Sequence, residues 1–285
     1  MKRLIVNADD LGADKARNAG ILETIAGGVV TSVSILPNGP VLEDALSQLR
    51  LLDPARISLG LHLNLSEGRP LSYHLRLLTG PDGAFLGKTR AQKILMCQGD
   101  PALEKEVADE MVAQIRALRD AGIRIHHLDG HQHVHVFPAV IRMAIELAKE
   151  HRIPWMRIPE EPPPSSIPLN AASLEEARLF SGLARLARPR LDGSGIQTTD
   201  HFRGLYHKGR LSLSLLEDLA DEMPHGLMEF MVHPGRVPAI LSTGPFASFS
   251  TSDRERELEA LMDRGFRMAL EKAGVILTPF PEVRG

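Results

Sequence analysis

The sequence lacks several features that would assign it to common classes of protein. Its 285 residues include a single cysteine, Cys97, so an internal disulfide is excluded. No apolar run approaches the roughly 18 residues that a membrane-spanning helix needs. The amino-terminal segment also lacks an apolar core of signal-peptide length. The net charge of −3 gives no support for a nucleic-acid partner. We therefore expect a cytoplasmic protein without a transmembrane segment, for which contact with a membrane surface stays open.

What the sequence does contain is an alternation of short, β-branched apolar segments with helical patterns. We predict strands at residues 4–6, 29–36, 57–63, 123–128, 155–158, 227–232 and 275–277, with helices between most of them. Such alternation is typical of parallel strands joined by helical crossovers. About seven or eight such units predict a single α/β domain, a distorted (β/α) barrel of about seven parallel strands. An open, doubly wound sheet is the alternative.

One stretch, residues 66–100, interrupts this rhythm with glycine and proline. Long connections in compact domains are usually functional or mobile, so we expect an insertion or lid within the domain that spans residues 1–285. A clear helix follows at 102–120, because Leu103, Val107, Met111, Ile115 and Leu118 form one apolar stripe. A Ser252–Glu255 capping box predicts the start of a final helix.

The segment from His126 to His135 is the strongest functional signal. It holds five of the twelve histidines and one aspartate within ten residues. Neutral imidazole binds divalent metals well at neutral pH, so this density indicates a metal site. Alternate residues of a strand share a face, which would place His127, Asp129 and His131 together.

Polar residues follow several of the predicted strands, where barrels of this kind carry their catalytic groups. They are Asp9 and Asp10 after the first strand, His62 at the third, His131 after the fourth, Arg157 at the fifth and His233 after the strand at 227–232. A carboxylate and two imidazoles would leave coordination positions open for water and substrate. A second carboxylate could act as general base and a further histidine as general acid. This set of groups fits hydrolysis of an amide or ester.

Four motifs in this order resemble the YdjC/ChbG-like carbohydrate deacetylases. They are Asn7-Ala8-Asp9-Asp10, Gly60-Leu61-His62-Leu63-Asn64-Leu65, the run from His127 to His135, and His233-Pro234-Gly235. The resemblance implies a distorted βα barrel related to polysaccharide deacetylases, and removal of N-acetyl groups from an amino sugar. It implies Asp10, His62 and His131 as ligands of one divalent ion, Asp9 as the base, Arg157 as the arginine that orients Asp9, and His233 as the acid.

The sequence departs from the family's common pattern at Leu11, Gly130 and Gln132, where phenylalanine, serine and histidine are frequent. The form Asp-Gly-His-Gln-His-Val-His is most similar to the hopanoid biosynthesis-associated branch, HpnK. That likeness implies an N-acetylglucosaminyl lipid as the substrate. The roles of His127, His133, His135 and His201 are not assigned by these patterns.

Two other functions remain open at this point. One is a metal-dependent phosphoesterase, although no glycine-rich loop or cationic cluster accompanies the histidine run. The other is a non-catalytic metal-binding or sugar-binding protein. The donor set suits Zn, Mn, Co, Ni or Fe, and Mg less well. A homodimer is the default expectation for the assembly.

Overall fold

The computed structural model describes residues 1–52, 56–164, 171–237, 245–247 and 251–283. The strands are β1 (Lys2–Leu11), β2 (Ser32–Ile35), β3 (Ser58–Leu63), β4 (His127–Gly130), β5 (Trp155–Met156), β6 (His201–Arg203), β7 (Gly226–Val232) and β8 (Val275–Leu277). The helices are α1 (Lys15–Ala26), α2 (Leu42–Leu49), α3 (Lys88–Leu95), α4 (Pro101–Asp120), α5 (Ile141–Glu150), α6 (Ala171–Ala187), α7 (Leu213–Glu222), α8 (Ser252–Met262) and α9 (Arg264–Lys272).

The strands form one parallel sheet in the order β5-β4-β3-β2-β1-β7-β6, and β8 pairs with the first residues of β1. The two ends of this sheet approach each other, because Trp155 of β5 forms a parallel bridge with Gln197, just before β6. The predicted distorted barrel of about seven parallel strands is therefore confirmed. All carboxyl ends of the strands lie at one rim, where the functional residues were expected.

The two faces of the sheet differ in composition. On β1, Leu4, Val6 and Ala8 belong to the large apolar core that includes the helices. Between them Ile5 packs with Trp155 in a separate small cluster inside the barrel. Further along the strand, Asn7 and Asp9 take the same inner side and are bound by polar groups of other strands.

Several details of the sequence-based assignment were wrong. β1 runs to Leu11, so Asp9 and Asp10 lie inside the strand and not after it. β2 and β5 are shorter than predicted. β4 begins at His127 and not at Ile123. The His126 N–H donates to the Leu59 carbonyl, but the Leu59 N–H donates to the His126 side chain and not to a backbone carbonyl of residues 123–126. The short strand β6 was not among the predicted ones, since three residues carry little pattern. Ser252 does not cap a helix: the N-cap is Thr251, which makes no side-chain capping bond, and a second helix starts after Asp263.

The segment 66–100 is attached to α4 by two glutamates. The Glu110 carboxylate accepts hydrogen bonds from the backbone N–H groups of Leu71 and Ser72. The Glu106 carboxylate accepts bonds from the N–H groups of residues 76–78. The apolar stripe of α4 packs into the core as predicted. A role of this segment as a lid stays a prediction.

Among the residues that the structure describes, none of the helices combines the length and the apolar composition needed to cross a bilayer.

Candidate metal site at the carboxyl ends of the strands

A β-bulge at the end of β1 presents two adjacent aspartates to the same site. Ala8 pairs with Val33 and Leu11 with Ile35, so Asp9 and Asp10 together stand opposite one residue of β2. Asp10 has a φ of 71°, in the left-handed region that few residues other than glycine adopt. Bulges of this kind re-aim side chains near active sites. Here the extra residue brings both carboxylates towards His62, at 4.0 Å for Asp9 and 3.4 Å for Asp10.

Asp10, His62 and His131 form a compact, buried cluster. One potential ligand atom from each lies within 4.8 Å of the other two. The Asp10 Oδ1 atom is 2.8 Å from His131 Nδ1 and 3.4 Å from His62 Nε2. The two imidazole rings meet edge to face, with their centroids 5.6 Å apart. The structure thus brings together the three residues for which the sequence suggested a ligand role, and a carboxylate with two imidazoles is a common donor set for divalent metals.

His131 owes its position to an irregular turn after β4. A 3-10 segment, His131–Val136, follows the strand directly, and Gln132 and His133 both adopt left-handed backbone angles. The ring of Phe246 packs against His131 at a centroid distance of 5.5 Å. The tight turn leaves the His131 side chain at the rim, beside the end of β1.

Two arginines bind the other oxygen of Asp10. Arg17 Nη1 lies 3.2 Å and Arg254 Nη2 lies 3.0 Å from Asp10 Oδ2. Burial alone would raise the pKa of Asp10, but His131, His62 and Arg254 outweigh it and hold the pKa well below its ordinary value. Asp10 is therefore ionised, with Oδ1 facing the histidines.

The site stabilises positive charge at His62. Burial would lower the pKa of this imidazole, but the carboxylates of Asp129, Asp9 and Asp10 raise it to about 10. In the absence of another cation, a proton supplies this charge. A divalent ion held by the neutral imidazoles would satisfy the same field, so the donor set and the electrostatics both fit a metal.

Asp9 is held by a buried arginine. Arg157 donates two parallel hydrogen bonds to the Asp9 carboxylate, each 2.8 Å long. Asn7 donates a further bond to Asp9 Oδ1 at 2.7 Å. Bidentate pairing of this kind fixes the plane of a carboxylate as well as its charge. The adjacent aspartates coexist because each has its own arginine partners, Arg157 for Asp9 and Arg17 with Arg254 for Asp10.

A second group, Asp9, His62 and Asp129, also has ligand atoms close enough to hold an ion. Arg157 already binds both of its carboxylates, because its Nη2 atom lies 2.8 Å from Asp9 and 2.7 Å from Asp129. Asp129 also accepts a hydrogen bond from Ser34 at 2.7 Å. We interpret this group as an ion-pair network beside the candidate metal site.

His233 directly follows β7 and faces Asp9, with His233 Nε2 3.9 Å from Asp9 Oδ2. Its backbone N–H donates to Glu257 at 2.6 Å, which fixes the turn after the strand. Burial, together with the nearby Arg254, holds the pKa of His233 well below its ordinary value. The imidazole is therefore neutral in the free protein.

The remaining histidines of the run have structural surroundings. His135 Nε2 donates to the Arg157 carbonyl at 2.9 Å, and burial lowers its pKa to about 4. His127 contacts Ser34 and stacks on Phe280, and burial lowers its pKa to about 3. Its ring lies over Gly60, where a Cβ atom would come within 2.2 Å of the imidazole, so only glycine fits.

The other two unassigned histidines differ in position. His133 packs edge to face against Phe180, with centroids 4.8 Å apart, and borders the same cavity as the cluster. His201 lies at the start of β6, where its Nε2 is 3.1 Å from the His225 carbonyl, and it does not border that cavity.

Sequence reasoning missed several buried polar groups of the network: Ser34, Glu229, Arg17 and Arg254. Glu229 left a usable signal, since it is a lone acid inside the apolar strand β7. It binds Arg157 Nε at 2.7 Å. Arg17 and Arg254 left none, because arginines near the start of helices normally lie in solvent.

The cluster opens into a cavity of about 200 Å³. Its floor includes Asp9, Asp10, His62, His131 and His233. Its walls come from α6 and from the turn after β6, with Phe180, Tyr206 and Lys208. The cavity gives a small molecule access to the cluster from the rim of the barrel.

Fold and site together define a class: a distorted parallel βα barrel with a candidate metal site at its carboxyl rim. Comparisons with known proteins agree with this layout. The family model of YdjC-like proteins matches residues 3–272. A mouse carbohydrate deacetylase is 36% identical, in an alignment that covers 96% of this chain and 93% of the relative. A carbohydrate deacetylase of Brevibacillus brevis is 29% identical, with 99% of each chain covered.

The crystal structure of a candidate cellobiose-phosphate cleavage protein from Enterococcus faecalis has the same fold. It superposes with a TM-score of 0.75 at 26% identity and covers 98% of this chain and 97% of its own. The chain belongs to the YdjC-like family.

Proposed function

We propose that this protein is a carbohydrate deacetylase that uses a divalent metal to hydrolyse the N-acetyl group of an amino sugar. One observation carries the proposal: an Asp10–His62–His131 cluster lies beside a second carboxylate, Asp9, which an arginine holds apart from the cluster. A protein that only binds metal needs no such second carboxylate. The deacetylases of mouse and Brevibacillus brevis, which align over nearly the whole chain, support the same reaction class.

In this proposal Asp10, His62 and His131 hold the ion. Asp10 would contribute Oδ1, since its other oxygen is bound by Arg17 and Arg254. His62 would contribute Nε2, since its Nδ1 is 2.8 Å from Asp129. The bound ion would polarise the acetyl carbonyl and lower the pKa of water. Zn, Mn, Co, Ni and Fe suit the donor set best, and Mg less well.

Asp9 is the proposed general base. Arg157 holds both of its oxygens and keeps the carboxylate facing the cluster, 4.0 Å from His62. A base must lie within reach of the proton that it removes, and a water held by an ion in the cluster would lie within reach of Asp9. Arg157 would thus act through Asp9 without contacting the substrate.

His233, which borders the same cavity as Asp9, is the proposed acid. An amide nitrogen leaves only after protonation, so deacetylation needs a donor near the departing amine. His233 is neutral in the free protein and would gain its proton during the reaction. Asp9, 3.9 Å away, would take a proton from water and is close enough to supply the proton that His233 gains.

Space near the cluster favours a substrate larger than one sugar ring. A second cavity of about 640 Å³ is lined by Glu67 and Phe246, and Phe85 and Pro40 add apolar surface there. Glu67 and Phe246 both approach His131. An N-acetylglucosaminyl lipid would fit such a surface. A homodimer and contact with a membrane surface stay predictions from the sequence.

Acetate release tests the proposal. The purified protein is stripped with a chelator, reloaded with Zn²⁺ or Co²⁺, and given N-acetylglucosamine oligomers or an N-acetylglucosaminyl lipid. We expect acetate only from the loaded protein, and we expect His131→Ala to lose both the ion and the activity. Hydrolysis of phosphate esters without acetate release would favour a phosphoesterase, and ion binding without turnover would favour a binding protein.

A further inference from the structure

Asp129 lies between the two halves of the proposed site. It is completely buried on β4, and its two oxygens have different partners. Asp129 Oδ1 is 2.8 Å from His62 Nδ1, and Asp129 Oδ2 is 2.7 Å from Arg157 Nη2. One carboxylate therefore contacts a proposed metal ligand and the arginine that holds the proposed base.

We infer that Asp129 is a positioning residue that fixes both the ion-facing nitrogen of His62 and the guanidinium that orients Asp9. The inference rests on the proposed function, because it concerns how residues of that site are positioned. Nothing in the sequence motifs gave Asp129 a role of its own.

The contact with His62 determines which nitrogen is available to an ion. A carboxylate only accepts hydrogen bonds, so His62 must carry a hydrogen on Nδ1 to satisfy Asp129. The lone pair is then on Nε2, which is the nitrogen that faces Asp10 Oδ1 at 3.4 Å. Carboxylate partners of metal-binding histidines fix the tautomer and ring orientation in this way.

The contact with Arg157 shares one nitrogen between two acids. Arg157 Nη2 lies 2.8 Å from Asp9 Oδ1 and 2.7 Å from Asp129 Oδ2. Ser34 donates to the same Asp129 oxygen and also accepts a bond from Asn7. Asp129 is thereby held from two sides and keeps the guanidinium in the plane that Asp9 needs.

Asparagine at position 129 would satisfy only one of these partners. Both His62 Nδ1 and Arg157 Nη2 are donors, but an amide has one acceptor oxygen and one donor nitrogen. If the amide oxygen faces Arg157, its nitrogen faces His62 and favours the wrong tautomer. If the oxygen faces His62, the amide nitrogen faces Arg157 Nη2, and both of these groups are hydrogen-bond donors.

Glu229 offers a matched control. It binds the same guanidinium, with its Oε1 2.7 Å from Arg157 Nε, and it is equally buried. Its other oxygen has no hydrogen-bond partner among the described residues. Glu229→Gln can therefore keep the bond to Arg157, and it leaves His62 untouched.

The experiment measures ion affinity without substrate. Apoprotein of wild type, Asp129→Asn and Glu229→Gln is titrated with Zn²⁺ against a chromophoric chelator, and the visible spectrum of the Co²⁺ form reports coordination. We expect Asp129→Asn to bind Zn²⁺ about 10–100-fold more weakly and to alter the Co²⁺ spectrum. We expect Glu229→Gln to bind it with wild-type affinity. At saturating ion, kcat should fall in Asp129→Asn, because Arg157 is then misplaced.

The possible failures are distinct. If wild type binds one ion and Asp129→Asn binds it equally well, or if both variants weaken it equally, the role of Asp129 is wrong and the proposed function stands. If wild type binds no ion, both fail. Should Asp129→Asn not fold, Ser34→Ala takes its place. Losing one hydrogen bond to Asp129 should weaken ion binding by about 2–10-fold, and an unchanged affinity would overturn the inference.

Discussion

The two faces of the same sheet have opposite character. On the outer face of β1, Leu4, Val6 and Ala8 pack into the main core together with the helices. On the inner face, above the small plug that Ile5 forms with Trp155, Leu227 and Phe280, the side chains are polar or charged and are bound to one another. Parallel barrels usually fill their interior with branched apolar side chains.

This difference shows how the fold separates stability from chemistry. Burying apolar side chains is favourable by roughly 25 cal/mol per Å², so the outer face stabilises the barrel. Burying charges is costly unless they are paired or hydrogen-bonded, and on the inner face Arg157 contacts the carboxylates of Asp9 and Asp129. We expect changes to the groups that contact the cluster to affect mainly catalysis and ion binding, and changes on the outer face to affect mainly stability.

The largest expected effect is on the inner face, in Asp9→Asn. The substitution keeps the size of the side chain and removes its ability to take a proton. We expect kcat for N-acetyl hydrolysis to fall by roughly 10²–10⁴-fold, the usual contribution of a general base. Elemental analysis should still find one ion per chain, because Asp9 is not a proposed ligand.

Asp100→Asn is the control for this experiment. Asp100 caps α4 and does not border the cavity of the cluster, and asparagine caps helices equally well, so activity should not change. Loss of the ion in Asp9→Asn would make Asp9 a ligand and would contradict the separate base.

The sequence alone predicted the parallel barrel and most residues of the candidate site. Alternation of apolar segments predicted the parallel barrel, and polar residues after strands identified Asp9, Asp10, His62, His131, Arg157 and His233, which the structure brings to one rim. The sequence could not reveal that Asp10 is re-aimed by a bulge, because a bulge depends on the register between β1 and β2.

The network behind the site was also beyond sequence patterns. In the sequence Ser34 looks like an ordinary strand residue. Only the pairing of strands in the fold places Asp129 of β4 2.7 Å from it. Arg254 follows the end of β7 by more than twenty residues and reaches Asp10 only through the packing of α8. Such partners are set by tertiary contacts, which a single sequence does not encode as a local pattern.

A smaller effect, on stability alone, is expected on the outer face in Leu4→Ala. Leu4 is fully buried, and truncation leaves a cavity, so the free energy of unfolding should fall by about 2–5 kcal/mol in urea denaturation. In the folded fraction kcat should remain close to wild type. Ile276→Ala on β8 is the control: half of its surface is already exposed, and it should cost well under about 1 kcal/mol. A tenfold loss of kcat in folded Leu4→Ala would show that the outer face also affects catalysis, which would contradict the distinction between the two faces.

The smallest expected effect is the pH dependence that Glu229 confers on stability. Burial raises the pKa of this carboxyl to about 7 from an ordinary value of 4.5, although Arg157 opposes the shift. Between these two pH values the folded chain keeps a proton on Glu229 that the unfolded chain has lost. The resulting stabilisation is complete below pH 4.5 and is lost as the pH rises through 7.

Glu229→Gln has no such proton, so the unfolding free energy of wild type relative to this variant should decrease by up to about 3 kcal/mol between pH 4.5 and pH 8. Urea denaturation of both proteins at several pH values measures this difference, and Leu4→Ala, which changes no titratable group, should show a constant difference from wild type. A constant difference for Glu229→Gln as well would mean that Arg157 keeps Glu229 ionised, and that charges on the inner face are paired more completely than the raised pKa indicates.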